Sequence, residues 1–277
     1  MVKIIDVDKL FDKYISEYVY SNIGKVNPEQ IENKIPELYL EFGDKPLAEL
    51  DGKTPNTYYK SFSQAELLSA LKNHIESGVA VSDFLCEAIE SGDIGAVINE
   101  LLNEGSEEYV NYLLNFIDVS GKVVAKERLF EFIVGEYPDS ERELATEILA
   151  KDSEEVKETA ISLYESAPEK GKECIAEILS GTKPDERVFN ILISAFKNNK
   201  KKIAMYAGLL GKYGDSRAID VLKEAAEDEK TNYADFEEIR FNIELLGGEY
   251  TGKRDFSTDK LRKKLQEVKN TKIVGDR

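Results

Sequence analysis

Apolar residues recur at helical spacing along most of the chain. In residues 153–167, the apolar side chains that share one helix face are Val156, Ala160, Leu163, Tyr164 and Ala167. Ser153 stands before this stretch as an N-cap, and residues 184–196 repeat the pattern after Pro184. Alternation of β-branched residues is nearly absent, and the best strand candidate, 121–125, is interpreted as a helix start. The pattern predicts an all-α fold.

Glycines and prolines separate the periodic stretches, and the connections between them are short. The predicted helices are 7–22, 28–42, 64–77, 81–90, 93–103, 106–117, 122–135, 138–150, 153–166, 169–180, 184–198, 200–213, 215–227, 233–247 and 257–269. Short connections make consecutive helices antiparallel neighbours. So long a series closes into a bundle or stacks into a solenoid, and stacking is the more economical arrangement.

The spacing of the helix pairs favours stacking. Pairs begin near residues 64, 93, 122, 153, 184 and 215, an interval of about 30 residues. The predicted fold is a right-handed α-solenoid of stacked antiparallel helical hairpins with a helical N-terminal cap. Its predicted parts are a cap over 1–62, a solenoid over 63–252, and a basic helix and tail over 253–277.

One unit carries a family resemblance. In residues 211–249 the turn Gly214-Asp215-Ser216-Arg217-Ala218 enters one helix, and Arg240 lies in the next, which ends in Leu246-Gly247. This unit resembles the short HEAT-like repeat of many bacterial proteins, which is related to armadillo-type repeats. The resemblance implies structural roles for Gly214, Asp215, Arg217 and Arg240. Asp215 and Arg240 would satisfy loose backbone groups and link adjacent repeats. The match weakens over 153–210 and is only periodicity over 64–152.

Charge limits the classes of partner. The formal net charge is −17, and a surface this acidic repels phosphate backbones and anionic membranes, so nucleic acid is disfavoured as a partner. The two cysteines, Cys86 and Cys174, are too few for a disulfide framework, which favours a reducing, cytoplasmic compartment. The first residues lack the apolar region of a signal peptide. The sequence has no run of about 18 apolar residues, so no transmembrane helix is expected.

Basic residues are concentrated in the C-terminal third. The two groups are Lys197, Lys200, Lys201 and Lys202, and then Lys260, Arg262, Lys263 and Lys264. One interpretation is a solvated turn together with a capping helix that pairs with acidic neighbours. The other is a contact site for an acidic partner or for nucleic acid.

No motif indicates catalysis, a cofactor or a metal site. His74 is the only histidine and lies near the edge of an apolar stripe, without a cysteine or carboxylate pattern around it, so a packing role is favoured over a proton-transfer role. Gly52-Lys53-Thr54 resembles the end of a phosphate loop, but Leu47 occupies the position of the earlier glycine. Pro55 instead favours a turn that restarts a helix.

The sequence therefore favours a non-enzymatic interaction or scaffold module that binds a protein or peptide on a solenoid surface. Two alternatives stay open. HEAT-like repeats also occur in DNA-base glycosylases and in lyases that attach bilin pigments, so an enzyme on this scaffold is one. A regulatory domain that self-associates through an uncapped repeat is the other, and the oligomeric state is left open.

Overall fold

The computed structural model describes residues 2–23, 28–103 and 105–264. Within these ranges the chain is all-α and contains no β-strand, as the periodicity predicts. None of the described helices is long and apolar enough to cross a bilayer. The chain divides into two compact units, and the division falls within two helices, α9 (Lys126–Val134) and α10 (Asp139–Ala150). The three-part division into 1–62, 63–252 and 253–277 stays a prediction.

Unit 1 comprises Met1–Arg128 and Pro138–Leu144. Its helices are α1 (Val7–Ser21), α2 (Pro28–Glu32), α3 (Ile35–Gly43), α4 (Pro55–Tyr58), α5 (Gln64–Glu76), α6 (Asp83–Glu90), α7 (Ile94–Leu101) and α8 (Glu107–Val119). α1 packs on α3, α5 pairs with α6, and α7 pairs with α8. Large side chains such as Phe42, Tyr58 and Leu71 are fully buried, and they form the hydrophobic core of this unit.

Helix boundaries follow the local chemistry, and two of the differences from the predicted segments have a clear local cause. The predicted helix 28–42 is broken into α2 and α3, because Pro36 has no N–H for an interior helical bond and sits in the first turn of α3. The predicted helix 122–135 begins only at Lys126. Gly121 and Ala125 have positive φ angles of 67° and 52°, which keep the residues between them out of the helix.

The turn before α4 agrees with the prediction. Gly52 has φ +78°, a left-handed conformation that glycine adopts without strain. Thr54 is the N-cap and forms a reciprocal capping box with Thr57, and Pro55 occupies the first helical position. The Gly52-Lys53-Thr54 segment therefore restarts a helix.

Unit 2 comprises Leu129–Tyr137 and Ala145–Arg277. Its complete helices are α11 (Ser153–Tyr164), α12 (Glu169–Leu179), α13 (Glu186–Asn198), α14 (Ile203–Tyr213), α15 (Ala218–Glu227) and α16 (Tyr233–Leu245). They pack as three consecutive pairs, α11 with α12, α13 with α14, and α15 with α16. The second helix of each pair also packs on the second helix of the next, so α12, α14 and α16 lie side by side.

Polar contacts in unit 2 join residues that are close to 30 positions apart. The Lys183 N–H donates to Glu154 at 3.0 Å, and Lys202 pairs with Glu173, each across 29 positions. The Tyr213 hydroxyl accepts from the Asp185 N–H at 2.7 Å and faces the Asp185 carbonyl at 3.0 Å, across 28 positions. This register is the interval that the sequence spacing predicts between successive helix pairs.

Removing the Tyr213 hydroxyl tests one of these contacts. Tyr213 is buried, so Tyr213→Phe leaves the Asp185 backbone groups without this partner and is expected to lower the free energy of unfolding by about 1 kcal/mol. The buried Tyr206 hydroxyl has no hydrogen-bond partner among the described residues, so Tyr206→Phe serves as the matched control and should be neutral or stabilising. Urea unfolding followed by circular dichroism gives both values. Equal losses in the two variants would contradict the assignment.

Candidate functional site

The turn between α14 and α15 contains three of the residues that the resemblance singles out. Gly214 ends α14 with φ +80°. The Asp215 carboxylate accepts from the Arg217 backbone N–H at 3.0 Å, which closes the turn locally. The Arg217 guanidinium donates to Asp215 at 2.7 Å and to Glu186 at 2.9 Å, and it lies 4.1 Å from the ring centre of Phe189. Hydrogen bonding to this guanidinium lowers the pKa of Asp215.

The same arrangement occurs one helix pair earlier, at residues that sequence reasoning missed. Asp185 accepts from the Arg187 backbone N–H at 2.9 Å, and the Arg187 guanidinium joins Asp185 to Glu158 at 2.8 and 2.7 Å. Hydrogen bonds from Arg187 lower the pKa of Asp185 to about 2. The sequence contains the same Asp-x-Arg pattern at 185–187 and at 215–217, and this repetition could have identified the earlier turn. These turns connect successive helix pairs.

Arg240 makes contacts that differ from the expected link between repeats. It lies in the middle of α16 and pairs with Glu237 at 2.9 Å and Glu244 at 3.6 Å, both on its own helix. In unit 2, Arg217 and Arg187 are the arginines that form ion pairs between successive helix pairs.

Two adjoining cavities lie beside the first predicted lysine group. One has a volume of about 390 Å³ and is lined by Phe196, Lys197, Lys200, Val221, Glu224, Ala225 and Asp228. The other has a volume of about 180 Å³ and is lined by Lys200, Ile203, Asp228, Lys230, Thr231 and Asp235. Because Lys200 and Asp228 line both, the two cavities form one depression, which we call the lysine groove. It runs between the C-terminal end of α13 and the loop that joins α15 to α16.

The lysines of the first group are not equivalent. Lys202 forms an ion pair with Glu173 and precedes α14. Lys197, Lys200 and Lys201 are exposed, and none of them has an ion pair with a described residue. The structure therefore divides the group into one structural lysine and three whose ammonium groups are open to a ligand.

The floor and far wall of the lysine groove differ from its lysine side. Phe196 and Ala225 are buried at its base, and Val221 is half-buried beside them. The opposite wall holds the carboxylates of Glu224 and Asp228, and Asp235 and the exposed Lys230 line the narrower end. The groove thus places positive and negative side chains on facing sides of an apolar floor.

The second basic group lies close to the same loop. Arg254, just before it, donates to the backbone carbonyls of Asp228 and Thr231, which belong to the loop that bounds the groove. Arg262 is half-buried and lies 5.9 Å from the ring centre of Tyr233. Lys260, Lys263 and Lys264 are exposed. The rest of the predicted basic tail, 265–277, lies outside the described residues.

His74 is held by structural contacts in unit 1. It is 1% exposed, and its Nδ1 lies 2.7 Å from the Ala70 carbonyl oxygen, which can only accept. Nδ1 therefore donates to this carbonyl, and Nε2 lies 3.3 Å from both the backbone nitrogen and the carbonyl oxygen of Ile5. These contacts attach the N-terminal residues to α5 and leave the imidazole away from solvent.

Other chemically reactive groups do not form a constellation in the described part of the chain. No group of three or more His, Cys, Asp or Glu side chains is placed there to hold a metal ion. Burial raises the pKa of the Cys86 thiol to about 12, so this thiol is unreactive. The lysine groove is the place where predicted site residues and a cavity coincide.

No protein-family model matches the chain, and comparison with curated proteins gives no significant match.

Proposed function

We propose that this protein is a non-enzymatic, cytoplasmic interaction module in which stacked helical hairpins present the lysine groove to a protein or peptide. The pairs α11/α12, α13/α14 and α15/α16 would be HEAT-like repeats of a right-handed α-solenoid, and the first 62 residues would form its helical cap. Two observations support the repeat: the side-by-side packing of α12, α14 and α16, and the polar contacts across 28–31 positions.

The observation that carries the binding function is the pair of exposed lysines without an ion pair, Lys197 and Lys200, that line the groove, with the exposed Lys201 next to them in the chain. Elsewhere in unit 2, basic residues such as Arg187, Arg217 and Lys202 are held in ion pairs. Exposed charge that is not neutralised by an ion pair favours association with a macromolecule of complementary charge.

Site-specific photocrosslinking tests this function. A photoreactive amino acid is placed at position 197, in the groove, or at position 60, where an exposed lysine lies in unit 1. In extracts of the source cells, irradiation is expected to give a discrete protein adduct from position 197 and none from position 60. Identical adducts from both positions, or no protein adduct from position 197, would overturn the proposal. An adduct formed only with a second copy of the chain would point instead to a self-associating regulatory domain.

A further inference from the structure

We propose that the lysine groove binds an acidic segment of its partner, with the partner's carboxylates on Lys197, Lys200 and Lys201. This inference rests on the proposed function, since it names the chemistry of the polypeptide that the same groove would hold. It adds which lysines bind the carboxylates of the segment and which side of the groove the segment follows.

The lysine side of the groove is complementary in charge to an acidic segment. Lys197 lies at the end of α13, and Lys200 and Lys201 are in the 3₁₀ turn Lys200–Lys202 that follows, so their three ammonium groups come from one short corner of the chain. The protein carries a net charge of −17, and three neighbouring ammonium groups without an ion pair would be expected to attract anionic groups. Their neighbour Lys202 is paired with Glu173, whereas Lys197, Lys200 and Lys201 have no ion pair with a described residue.

The far wall selects a polypeptide over a nucleic acid. Glu224 and Asp228 face the lysines across the groove, and Asp235 lies at its narrow end. A nucleic acid carries a charge at every phosphate, so these carboxylates would repel a strand that followed the groove. A peptide carries backbone N–H groups, which can donate to Glu224 and Asp228 while its acidic side chains turn toward the lysines.

The floor sets the side-chain pattern of the bound segment. Phe196, Val221 and Ala225 are the apolar residues that line the cavity of about 390 Å³, and Val221 is the most accessible of the three. The fitting ligand is an extended segment in which acidic residues alternate with small apolar ones. Purely acidic segments would leave the floor uncovered.

The direct test uses a short fluorescein-labelled peptide of alternating glutamate and alanine, with fluorescence anisotropy as the readout. Lys197→Glu, Lys200→Glu and Lys201→Glu, combined in the full chain, are expected to weaken binding about 100-fold. The matched control combines Lys60→Glu, Lys122→Glu and Lys212→Glu, which gives the same net charge at exposed lysines outside the groove and should change affinity by less than about threefold. Circular dichroism verifies folding. A triple Lys→Gln variant at the groove positions gives the same comparison without charge reversal.

Three results would overturn the inference. Equal weakening by the groove and control variants would mean that only the overall charge matters. Tighter binding of a single-stranded oligonucleotide than of the peptide, abolished by the groove variant, would identify nucleic acid as the occupant. Absence of peptide binding while position 197 still crosslinks to a protein would refute the acidic segment and leave the interaction function standing, whereas loss of that crosslink would remove the function itself.

Discussion

Replacing Arg254 with alanine is expected to lower the free energy of unfolding by about 3 kcal/mol. The Arg254 guanidinium donates to four backbone carbonyls, those of Ala226 at 2.9 Å, Asp228 at 2.7 Å, Glu229 at 3.3 Å and Thr231 at 3.1 Å. These carbonyls lie at the end of α15 and in the loop after it, where the backbone has no helical donors of its own. Alanine would leave several of them unsatisfied in a partly buried position.

The aromatic contacts of Arg254 add to this loss. Its guanidinium lies 4.7 Å from the ring centre of Phe256 and 5.8 Å from that of Phe236. Phe256 is buried against Phe236 at 4.9 Å between ring centres. Removal of Arg254 therefore also uncovers the rings through which the C-terminal segment packs on α16.

Urea unfolding followed by circular dichroism measures the effect. Arg254→Lys is expected to fall between wild type and alanine, because an ammonium group keeps the charge but cannot reach four carbonyls with a planar fork. Lys253→Ala removes an exposed neighbouring charge and should leave stability unchanged. If Lys253→Ala destabilised as much as Arg254→Ala, the local positive charge would account for the effect, and the carbonyl contacts would not.

The hydrophobic periodicity predicted most helices of unit 2 closely. The stretch 153–166 was predicted as helical, and α11 spans Ser153–Tyr164. Its N-cap is Asp152, whose side chain accepts from the Glu155 N–H, while the Ser153 hydroxyl donates to the Ala150 carbonyl. Both residues have side chains that can cap a helix, so a one-residue error is inherent in the local pattern.

The groove itself could not be predicted, because it depends on which distant residues meet. The sequence shows four similar lysines from 197 to 202, and nothing in the local pattern tells that Lys202 pairs with Glu173 while the other three stay open. The far wall comes from Glu224 and Asp228, about a repeat later in the chain. The composition predicts a basic patch on an acidic protein, and only the fold brings the end of α13 and residues of α15 to the same cavity.

The role of Arg254 could not be predicted from the sequence either. In the sequence it is one of several basic residues in the stretch that begins at Lys253, with nothing to separate it from Lys260 or Lys263. In the structure it is a cap for the α15–α16 loop, whereas Lys260 and Lys263 are exposed. Every residue has a backbone carbonyl. The sequence therefore does not show which carbonyls a cation such as Arg254 binds.

Gly211→Ala is expected to lower the free energy of unfolding by about 2 kcal/mol, although alanine favours helices over glycine. Gly211 lies in α14 where that helix approaches α16, and a Cβ atom there would overlap the Asn242 side-chain amide. Asn242 is 2% exposed and cannot easily withdraw, since its Nδ2 donates to the Glu238 carbonyl and carboxylate, both at 2.9 Å. The clash would therefore separate the two helices or break these hydrogen bonds.

Gly208 provides the matched control on the same helix. A Cβ atom at Gly208 would meet only Glu238 Oε1, at 3.8 Å, so Gly208→Ala is expected to raise the free energy of unfolding by about 0.5–1 kcal/mol. Urea unfolding compares the two variants, and Asn242→Ala completes a double-mutant cycle with Gly211→Ala. In the Asn242→Ala background, the loss of unfolding free energy caused by Gly211→Ala should be smaller than in wild type by at least about 1 kcal/mol, because the overlapping amide is gone. Stabilisation by both glycine replacements, or additive losses in the cycle, would show that α14 and α16 do not approach each other through Gly211 and Asn242.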